Sequence, residues 1–317
     1  MKIVSAIKRV PESIRIHLSH RFQDVDFVFC HGMHEAQHYL AEADVFITYG
    51  EDLDEAKIQV AKKLKWIMVL SAGMDRMPFD EIKKRGILVT NVRGIHAKPM
   101  AEYAISMLLQ VSRKAKTLIK QEQKREWSRR AVMNEISERT IVLLGTGAIA
   151  QETARLAGAF GMTTIGLSKS GVPKDHFDQV YPISDIHLIL PKADFVVAVL
   201  PSTQETRGML THAHFSAMPD HAVFLNMGRG DLVPAEVIMD AVTTDQIAHA
   251  VLDVFEEEPL PEAHPFWGEE NVTVTPHISG ISPHYVPRGF EIFEENLDVF
   301  LNGDGELRNI IDLERGY

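Results

Sequence analysis

Residues 141 to 150 read Ile-Val-Leu-Leu-Gly-Thr-Gly-Ala-Ile-Ala, a short apolar run that leads into a G-x-G-x-x-A turn. The apolar run predicts a buried strand, and the helical pattern at about 148–160, closed by Gly161, predicts a helix. At such a junction Gly145 permits the tight turn, and Gly147 lets the backbone approach a pyrophosphate at the helix N-terminus. Such a pyrophosphate is typical of a bound dinucleotide. The residues predicted to bind the dinucleotide are Gly145, Thr146, Gly147, Ala148 and Ile149. A structural turn without a ligand is the alternative interpretation.

The pattern around this stretch predicts an α/β protein with two Rossmann-like domains, each built on a doubly wound parallel sheet, and a cleft between them. Apolar runs at 2–7, 25–30, 44–49, 64–71 and 87–91 predict five strands, and 97–127 reads as one long helical segment. With 141–144, the runs at 162–167, 194–200, 222–226, 248–253 and 272–275 predict six more strands. We expect 98–284 to form the nucleotide-binding domain. Residues 1–97 with 285–317 are expected to form a flavodoxin-like substrate-binding domain.

The end of the second strand of the nucleotide-binding domain predicts which dinucleotide is bound. Enzymes that select NAD usually have a carboxylate about 20 residues after the glycine turn, where it binds the ribose 2′-hydroxyl. This chain has Ser168, Lys169 and Ser170 there instead. Two hydroxyls and an ammonium can hold a 2′-phosphate through charge-assisted hydrogen bonds. We therefore predict that NADP(H) is preferred over NAD(H), with a solvated loop that plays no part in selectivity as the alternative.

Composition limits the partners and the compartment. The 33 basic and 44 acidic residues give a formal net charge of −11, which disfavours nucleic acid and anionic membranes as partners. Cys30 is the single cysteine, so no intrachain disulfide can form. The chain opens without an apolar signal core, and no stretch approaches 18 apolar residues. We expect a cytoplasmic protein without a membrane anchor.

Three polar segments follow predicted strands of the nucleotide-binding domain, at the sheet edge where such folds bind ligands. They are Asn-Met-Gly-Arg-Gly-Asp at 226–231, Leu-Asp-Val-Phe-Glu-Glu-Glu-Pro at 252–259 and Thr-Pro-His-Ile-Ser-Gly at 275–280. With Ser-Ala-Gly-Met-Asp at 71–75, Met-Ala-Glu at 100–102 and His-Pro-Phe-Trp at 264–267, their order and spacing are highly specific. The sequence resembles the D-isomer-specific 2-hydroxyacid dehydrogenase family, which includes glyoxylate and hydroxypyruvate reductases.

The resemblance implies a catalytic role for three residues. Arg229 matches the arginine that binds the substrate carboxylate and polarises the 2-oxo group, a task suited to a permanently charged guanidinium. His277 matches the general acid and base, which protonates the alkoxide in reduction and removes the proton in oxidation. Glu258 would pair with His277, because a neighbouring carboxylate stabilises the protonated imidazolium. The plainer alternatives are a surface arginine, a solvated acidic loop and a structural histidine.

The resemblance also implies the other contacts of the cofactor and the substrate. Asp253 matches the residue that orients the nicotinamide carboxamide. The remaining family positions expected at the cofactor are Leu200, Pro201, Thr206, Met227, Gly228, Ser279 and Gly280. Backbone N–H groups at Ala72 and Gly73 would receive the substrate carboxylate, and Tyr49 and His96 are candidates for lining the substrate pocket. The family further implies a homodimer formed through the nucleotide-binding domain.

Two rival functions and one rival site stay open. A phosphite- or formate-type dehydrogenase of the same superfamily would share most of these motifs, although formate enzymes usually have Gln where Glu258 stands. A dinucleotide-sensing corepressor on the same scaffold is the rival from another class. Metal binding by Cys30, His31, His34 and His38 is conceivable from their spacing, but a surface histidine stripe is commoner and the family requires no metal. We expect no metal.

Overall fold

The computed structural model describes residues 1–71, 74 and 77–314, and these residues form two compact units. Unit 1 comprises 1–95 and 282–317, and unit 2 comprises 96–281. Each unit is built on one parallel sheet with helices on both faces. The predicted α/β class with two Rossmann-like sheets is therefore confirmed.

Unit 1 contains a five-stranded sheet in the order β2-β1-β3-β4-β5, the arrangement of flavodoxin-like folds. Its strands are β1 Lys2–Ser5, β2 Asp26–Phe29, β3 Val45–Thr48, β4 Trp66–Val69 and β5 Leu88–Asn91. Its helices are α1 Glu12–Arg21, α2 Met33–Ala36, α3 Glu55–Val60, α4 Phe79–Lys84 and, near the end of the chain, α11 Tyr285–Asn302. β3 and β4 are buried along their whole length because apolar side chains cover both faces of the sheet.

Unit 2 contains a seven-stranded sheet in the order β12-β11-β10-β9-β6-β7-β8. Its strands are β6 Thr140–Leu144, β7 Thr163–Ser168, β8 Gln179–Pro182, β9 Phe195–Ala198, β10 Val223–Asn226, β11 His249–Leu252 and β12 Val272–Val274. Its helices are α5 Ala97–Ser112, α6 Ala115–Gln123, α7 Ala148–Ala159, α8 Ile186–Ile189, α9 His212–Ser216 and α10 Ala235–Thr243. The strand order reverses beside β6, which makes this sheet doubly wound around the strand that precedes the glycine turn.

Two sequence predictions for unit 2 were wrong in detail. The sheet has seven strands instead of six, because β8 pairs with β7 at the sheet edge. The segment 97–127 is two helices and not one, since the chain turns at Lys114, whose φ of 55° is left-handed and cannot continue an α-helix.

The register of the sheet aligns the carboxyl ends of six strands. Leu144 at the end of β6 pairs with Leu167 on one side and Ala198 on the other. Ala198 pairs with Asn226, and Asn226 pairs with Leu252. Leu252 in turn pairs with Val274. Residues that directly follow these strands therefore meet along one sheet edge, whatever their separation in sequence.

We expect the first residue of β11 to make the stability of unit 2 depend on pH. His249 is largely buried, and its Nε2 lies 2.8 Å from the Thr273 hydroxyl. Burial, together with the positive charges of Lys116 and Lys114, lowers the pKa of His249 from 6.5 to about 4. The unfolded chain thus takes up this proton below about pH 6.5, whereas the folded protein takes it up only near pH 4. The free energy of unfolding should fall as pH decreases between these values.

We expect His249 to account for a loss on the order of 2 kcal/mol of stability between pH 7.5 and pH 5. Urea unfolding followed by circular dichroism at both pH values should show a smaller loss for His249→Gln than for the wild type. His187→Gln is the matched control, because His187 is an exposed histidine of the same unit. An equal loss in wild type and His249→Gln would contradict this prediction.

Candidate active site

The glycine turn has the geometry needed for a dinucleotide pyrophosphate. Gly145 follows β6 with a φ of 107°, a conformation that L side chains rarely adopt. Gly147 precedes α7 without a side-chain cap, and a Cβ added at Gly147 would meet nothing within 4 Å. The N-terminus of α7 is thus uncapped by a side chain and has open space beside Gly147, which suits an anion. Ala150, in the third glycine position, is fully buried against the sheet.

The adenosine end of the predicted cofactor site contains a contact that the sequence did not predict. Ser168 ends β7, and its Oγ accepts from the backbone N–H of Gly171. Lys169 forms an ion pair with Glu205, with Nζ–Oε distances of 2.7 and 3.0 Å. The ammonium predicted to bind a 2′-phosphate is thus already next to a carboxylate. Ser170 lies in the same loop, where its Oγ is 3.5 Å from the Val172 amide nitrogen.

The loop after β9 is braced by its own side chains and packs tightly against the loop after β10. The Thr206 hydroxyl donates to the carbonyl of Pro201 at 2.6 Å, so these two predicted cofactor residues are in contact. A Cβ at Gly228 would lie 2.6 Å from the carbonyl oxygen of Leu200. Met227 is buried, and its N–H donates to Ala198. Glycine at 228 is required here because no larger residue fits between the loops.

Arg229 lies directly after this tight contact. Its Nη1 donates to the Gly228 carbonyl at 2.9 Å, while its own carbonyl accepts from the Asn226 side chain. His96, at the start of α5, is close enough for Arg229 to affect it: burial and the positive charge of Arg229 lower the pKa of His96. His96 is thus an electrostatic neighbour of Arg229 that was not part of the predicted catalytic set.

The imidazole of His277 is held by a carboxylate. Its Nδ1 lies 2.8 Å from Oε2 of Glu258, and Oε1 of Glu258 accepts from the backbone N–H of Phe255 at 3.0 Å. About half of the His277 side chain is exposed. Because Nδ1 is bound to Glu258, Nε2 is the ring nitrogen that can exchange a proton with a ligand. This is the arrangement of a positioned general acid and base.

The backbone of His277 is strained and depends on Asp253. The φ of His277 is 52°, a left-handed conformation that costs on the order of 1–2 kcal/mol for a residue with a Cβ. Asp253, after β11, is fully buried, and its carboxylate accepts from the N–H groups of Ile278 and Ser279 at 2.9 Å each. Gly280 follows, and a Cβ there would be 3.0 Å from the His96 ring.

The predicted residues of unit 1 are described only in part. Tyr49 follows β3, and burial raises the pKa of its hydroxyl. Ala72 and Gly73 lie outside the described residues, so their predicted role in binding the substrate carboxylate stays a prediction.

The described part of the chain contains no group of three His, Cys, Asp or Glu side chains arranged to hold a metal ion. Cys30 is buried in the core of unit 1, whereas His31, His34 and His38 are exposed. The same ranges contain no helix long and apolar enough to cross a bilayer.

Comparison with known proteins identifies the family. Residues 105–279 match the NAD binding domain of D-isomer specific 2-hydroxyacid dehydrogenases. A glyoxylate reductase from Thermococcus kodakarensis is 30% identical over 273 residues, which cover 83% of this chain and 81% of that protein.

Two solved structures have the same fold over nearly the whole chain. A D-isomer specific 2-hydroxyacid dehydrogenase family protein from Aeromonas salmonicida aligns with a TM-score of 0.86 and 30% identity, covering 98% of this chain and 99% of that one. An NADPH-dependent glyoxylate/hydroxypyruvate reductase from Sinorhizobium meliloti, in complex with NADP and sulfate, aligns with a TM-score of 0.83 and 25% identity, covering 100% and 99%. The chain is thus a nicotinamide-dependent oxidoreductase that belongs to the D-isomer-specific 2-hydroxyacid dehydrogenase family.

Proposed function

We propose that this enzyme reduces a small 2-oxo acid to the D-2-hydroxy acid, and catalyses the reverse reaction, with NADP(H) preferred over NAD(H). The observation that carries the proposal is the 2.8 Å contact between Nδ1 of His277 and Oε2 of Glu258, which leaves Nε2 to transfer the proton. Glyoxylate and hydroxypyruvate are the first substrates to test, because related proteins with these activities resemble the chain over most of its length.

Arg229, His277 and Glu258 have different roles in the reduction of the 2-oxo acid. When bound, the reduced dinucleotide supplies the hydride that reduces C2 of the 2-oxo acid. Arg229 holds the substrate carboxylate and polarises the carbonyl, so that negative charge can develop on its oxygen. The protonated His277 gives its Nε2 proton to that oxygen, and Glu258 stabilises the imidazolium until the proton leaves. In the oxidation direction the neutral imidazole takes the proton back.

A substrate panel tests this proposal. Glyoxylate, hydroxypyruvate, pyruvate and branched 2-oxo acids should each be assayed with NADPH and NADH by following absorbance of the reduced cofactor. Turnover of at least one 2-oxo acid supports the proposal. Turnover of formate or phosphite alone would support the rival dehydrogenase, and cofactor binding without any turnover would support the corepressor.

The Lys169–Glu205 pair gives a separate test of cofactor preference. Lys169→Ala should raise the KM for NADPH about 5–10-fold and leave the KM for NADH within about 2-fold, because only NADPH has a 2′-phosphate for the ammonium to bind. Glu205→Gln should lower the KM for NADPH about 2–5-fold, since the carboxylate competes for Lys169 and repels the phosphate. Both KM values are measured with the best 2-oxo acid.

Lys174→Ala is the matched control, as Lys174 is an exposed lysine a few residues further along the same loop. A wild type that prefers NADH, or a Lys169→Ala effect that is equal for both cofactors, would contradict the assignment.

A homodimer formed through unit 2 is the assembly we propose, and a location in the cytoplasm stays a prediction. Exposed apolar side chains of unit 2 support the dimer. Trp127 is 90% exposed and Val132 74% exposed, and Val132 also lines a groove of about 540 Å³ that contains Met107, Val111, Ile119 and Trp267 beside charged residues such as Lys116 and Glu270. Large apolar side chains that are exposed to water favour association with another surface. Sedimentation velocity should give about twice the chain mass, and Trp127→Glu should shift the species toward monomer.

A further inference from the structure

The loop that contains His277 is tied to a buried carboxylate. Oδ1 of Asp253 accepts from Ile278 N–H and Oδ2 accepts from Ser279 N–H, so both oxygens bind the backbone immediately after His277. The Asp253 carbonyl also accepts from the N–H of His277 itself. The backbone at Ile278 and Ser279 therefore depends on where the Asp253 side chain points, and His277 is bound directly to the Asp253 backbone.

Two hydroxyls fix that side chain, one at the start of the same loop and one from α5. The hydroxyl of Thr275, just after β12, donates to Oδ1 of Asp253 at 2.6 Å. Because this hydroxyl has a single proton, it acts as the acceptor in its 2.8 Å contact with the Tyr103 hydroxyl of α5. Tyr103 therefore donates to Thr275, and Thr275 donates to Asp253. The Asp253 carboxylate in turn accepts from the backbone N–H groups of the loop.

The chain of hydrogen bonds is sheltered from water. Asp253 is fully buried and Tyr103 and Thr275 are partly buried. Burial raises the pKa of Tyr103, so its hydroxyl keeps the proton that it donates at neutral pH. Hydrogen bonds to a carboxylate in such surroundings are stronger than exposed ones.

We propose that Tyr103 and Thr275 are positioning residues for His277: their hydroxyls orient the Asp253 carboxylate, which holds the left-handed backbone of His277 so that its imidazole meets Glu258. Neither hydroxyl needs to touch the substrate. The inference rests on the proposed function only where it concerns turnover, because the anchoring of the loop can be measured without substrate.

The test uses four variants of the full-length protein. Tyr103→Phe and Thr275→Val each remove one hydroxyl and keep the shape of the side chain. Thr275→Ser keeps the hydroxyl and should therefore behave like the wild type. Tyr181→Phe is the matched control, because the Tyr181 hydroxyl binds Gln179 at the other edge of the same sheet.

Two quantities are measured for each variant. Amide hydrogen exchange of a peptide spanning 276–281, followed by mass spectrometry on the protein alone, should be about 5-fold faster in Tyr103→Phe and about 10-fold faster in Thr275→Val. The kcat for the best 2-oxo acid should fall about 3–10-fold and about 10–100-fold respectively. Thr275→Ser and Tyr181→Phe should match the wild type in both measurements.

The outcomes separate this proposal from the proposed function. Unchanged exchange in Tyr103→Phe and Thr275→Val, or faster exchange with unchanged kcat, would overturn the positioning role. A kcat of Thr275→Ser as low as that of Thr275→Val would also overturn it. If the wild type turns over no 2-oxo acid, the proposed function fails. The exchange rates then still decide whether the hydroxyls hold the loop.

Discussion

Replacing His277 by alanine should lower kcat for 2-oxo acid reduction about 10²–10⁴-fold and leave cofactor binding almost unchanged. The imidazole is the group that Glu258 orients, with Nε2 available to protonate the alkoxide. Without it, the proton must come from water, which is neither positioned nor acidic enough to keep pace with hydride transfer. Single-turnover and steady-state rates give kcat, and fluorescence of bound NADPH gives the cofactor Kd.

His187→Ala is the control for this change, because it removes an exposed imidazole of the same unit. Glu258→Gln should give a smaller loss of kcat, about 10–100-fold, because an amide can still bind Nδ1 of His277 but does not stabilise the imidazolium by charge. Turnover of His277→Ala within about 3-fold of the wild type would show that another group supplies the proton.

Replacing Arg229 by methionine should lower kcat/KM for the 2-oxo acid about 10³-fold, equivalent to about 4 kcal/mol of transition-state stabilisation. Methionine keeps much of the length and apolar surface of the side chain but cannot bind a carboxylate. Arg229→Lys should recover only part of the loss, since an ammonium lacks the planar pair of donors. Steady-state kinetics over a range of 2-oxo acid concentrations measures the effect.

Replacing Arg229 by methionine should raise the KM for the 2-oxo acid far more than the KM for NADPH. Arg155→Met is the matched control, as Arg155 lies on the exposed face of α7 and pairs with Glu152. A similar loss in Arg155→Met, or a KM for NADPH that rises as much as that for the acid, would show that the change acts through stability or cofactor binding.

Much of the fold could be predicted from the sequence because its strands are continuous apolar runs. The runs at 44–49 and 194–200 contain β3 and β9, which lie inside their sheets and are buried on both faces. β8 was missed because Gln-Val-Tyr-Pro is short and half polar and ends in Pro182, features of an edge strand. The break between α5 and α6 was missed since Lys114, unlike glycine, gives no local signal for a left-handed residue.

The candidate site was predictable where residues follow strands in recognisable motifs, and unpredictable where partners come from other segments. His277 and Glu258 were expected to pair. Glu205 was not expected at Lys169, because their loops follow β9 and β7, which are brought together only by their positions on either side of β6. Tyr103 lies on a helix more than 170 residues before Thr275, and its helical spacing alone predicts an ordinary core position.

The discontinuity of unit 1 has a consequence for how the protein is made. Phe293 of α11 stacks on Trp66 of β4 with 5.4 Å between ring centroids, and the N–H of Ile311 donates to Val89 in β5. During translation, every strand of unit 2 is therefore synthesised before the helix that covers Trp66. We expect unit 2 to reach its native state first, while one apolar face of the five strands of unit 1 stays exposed to chaperones until α11 is made.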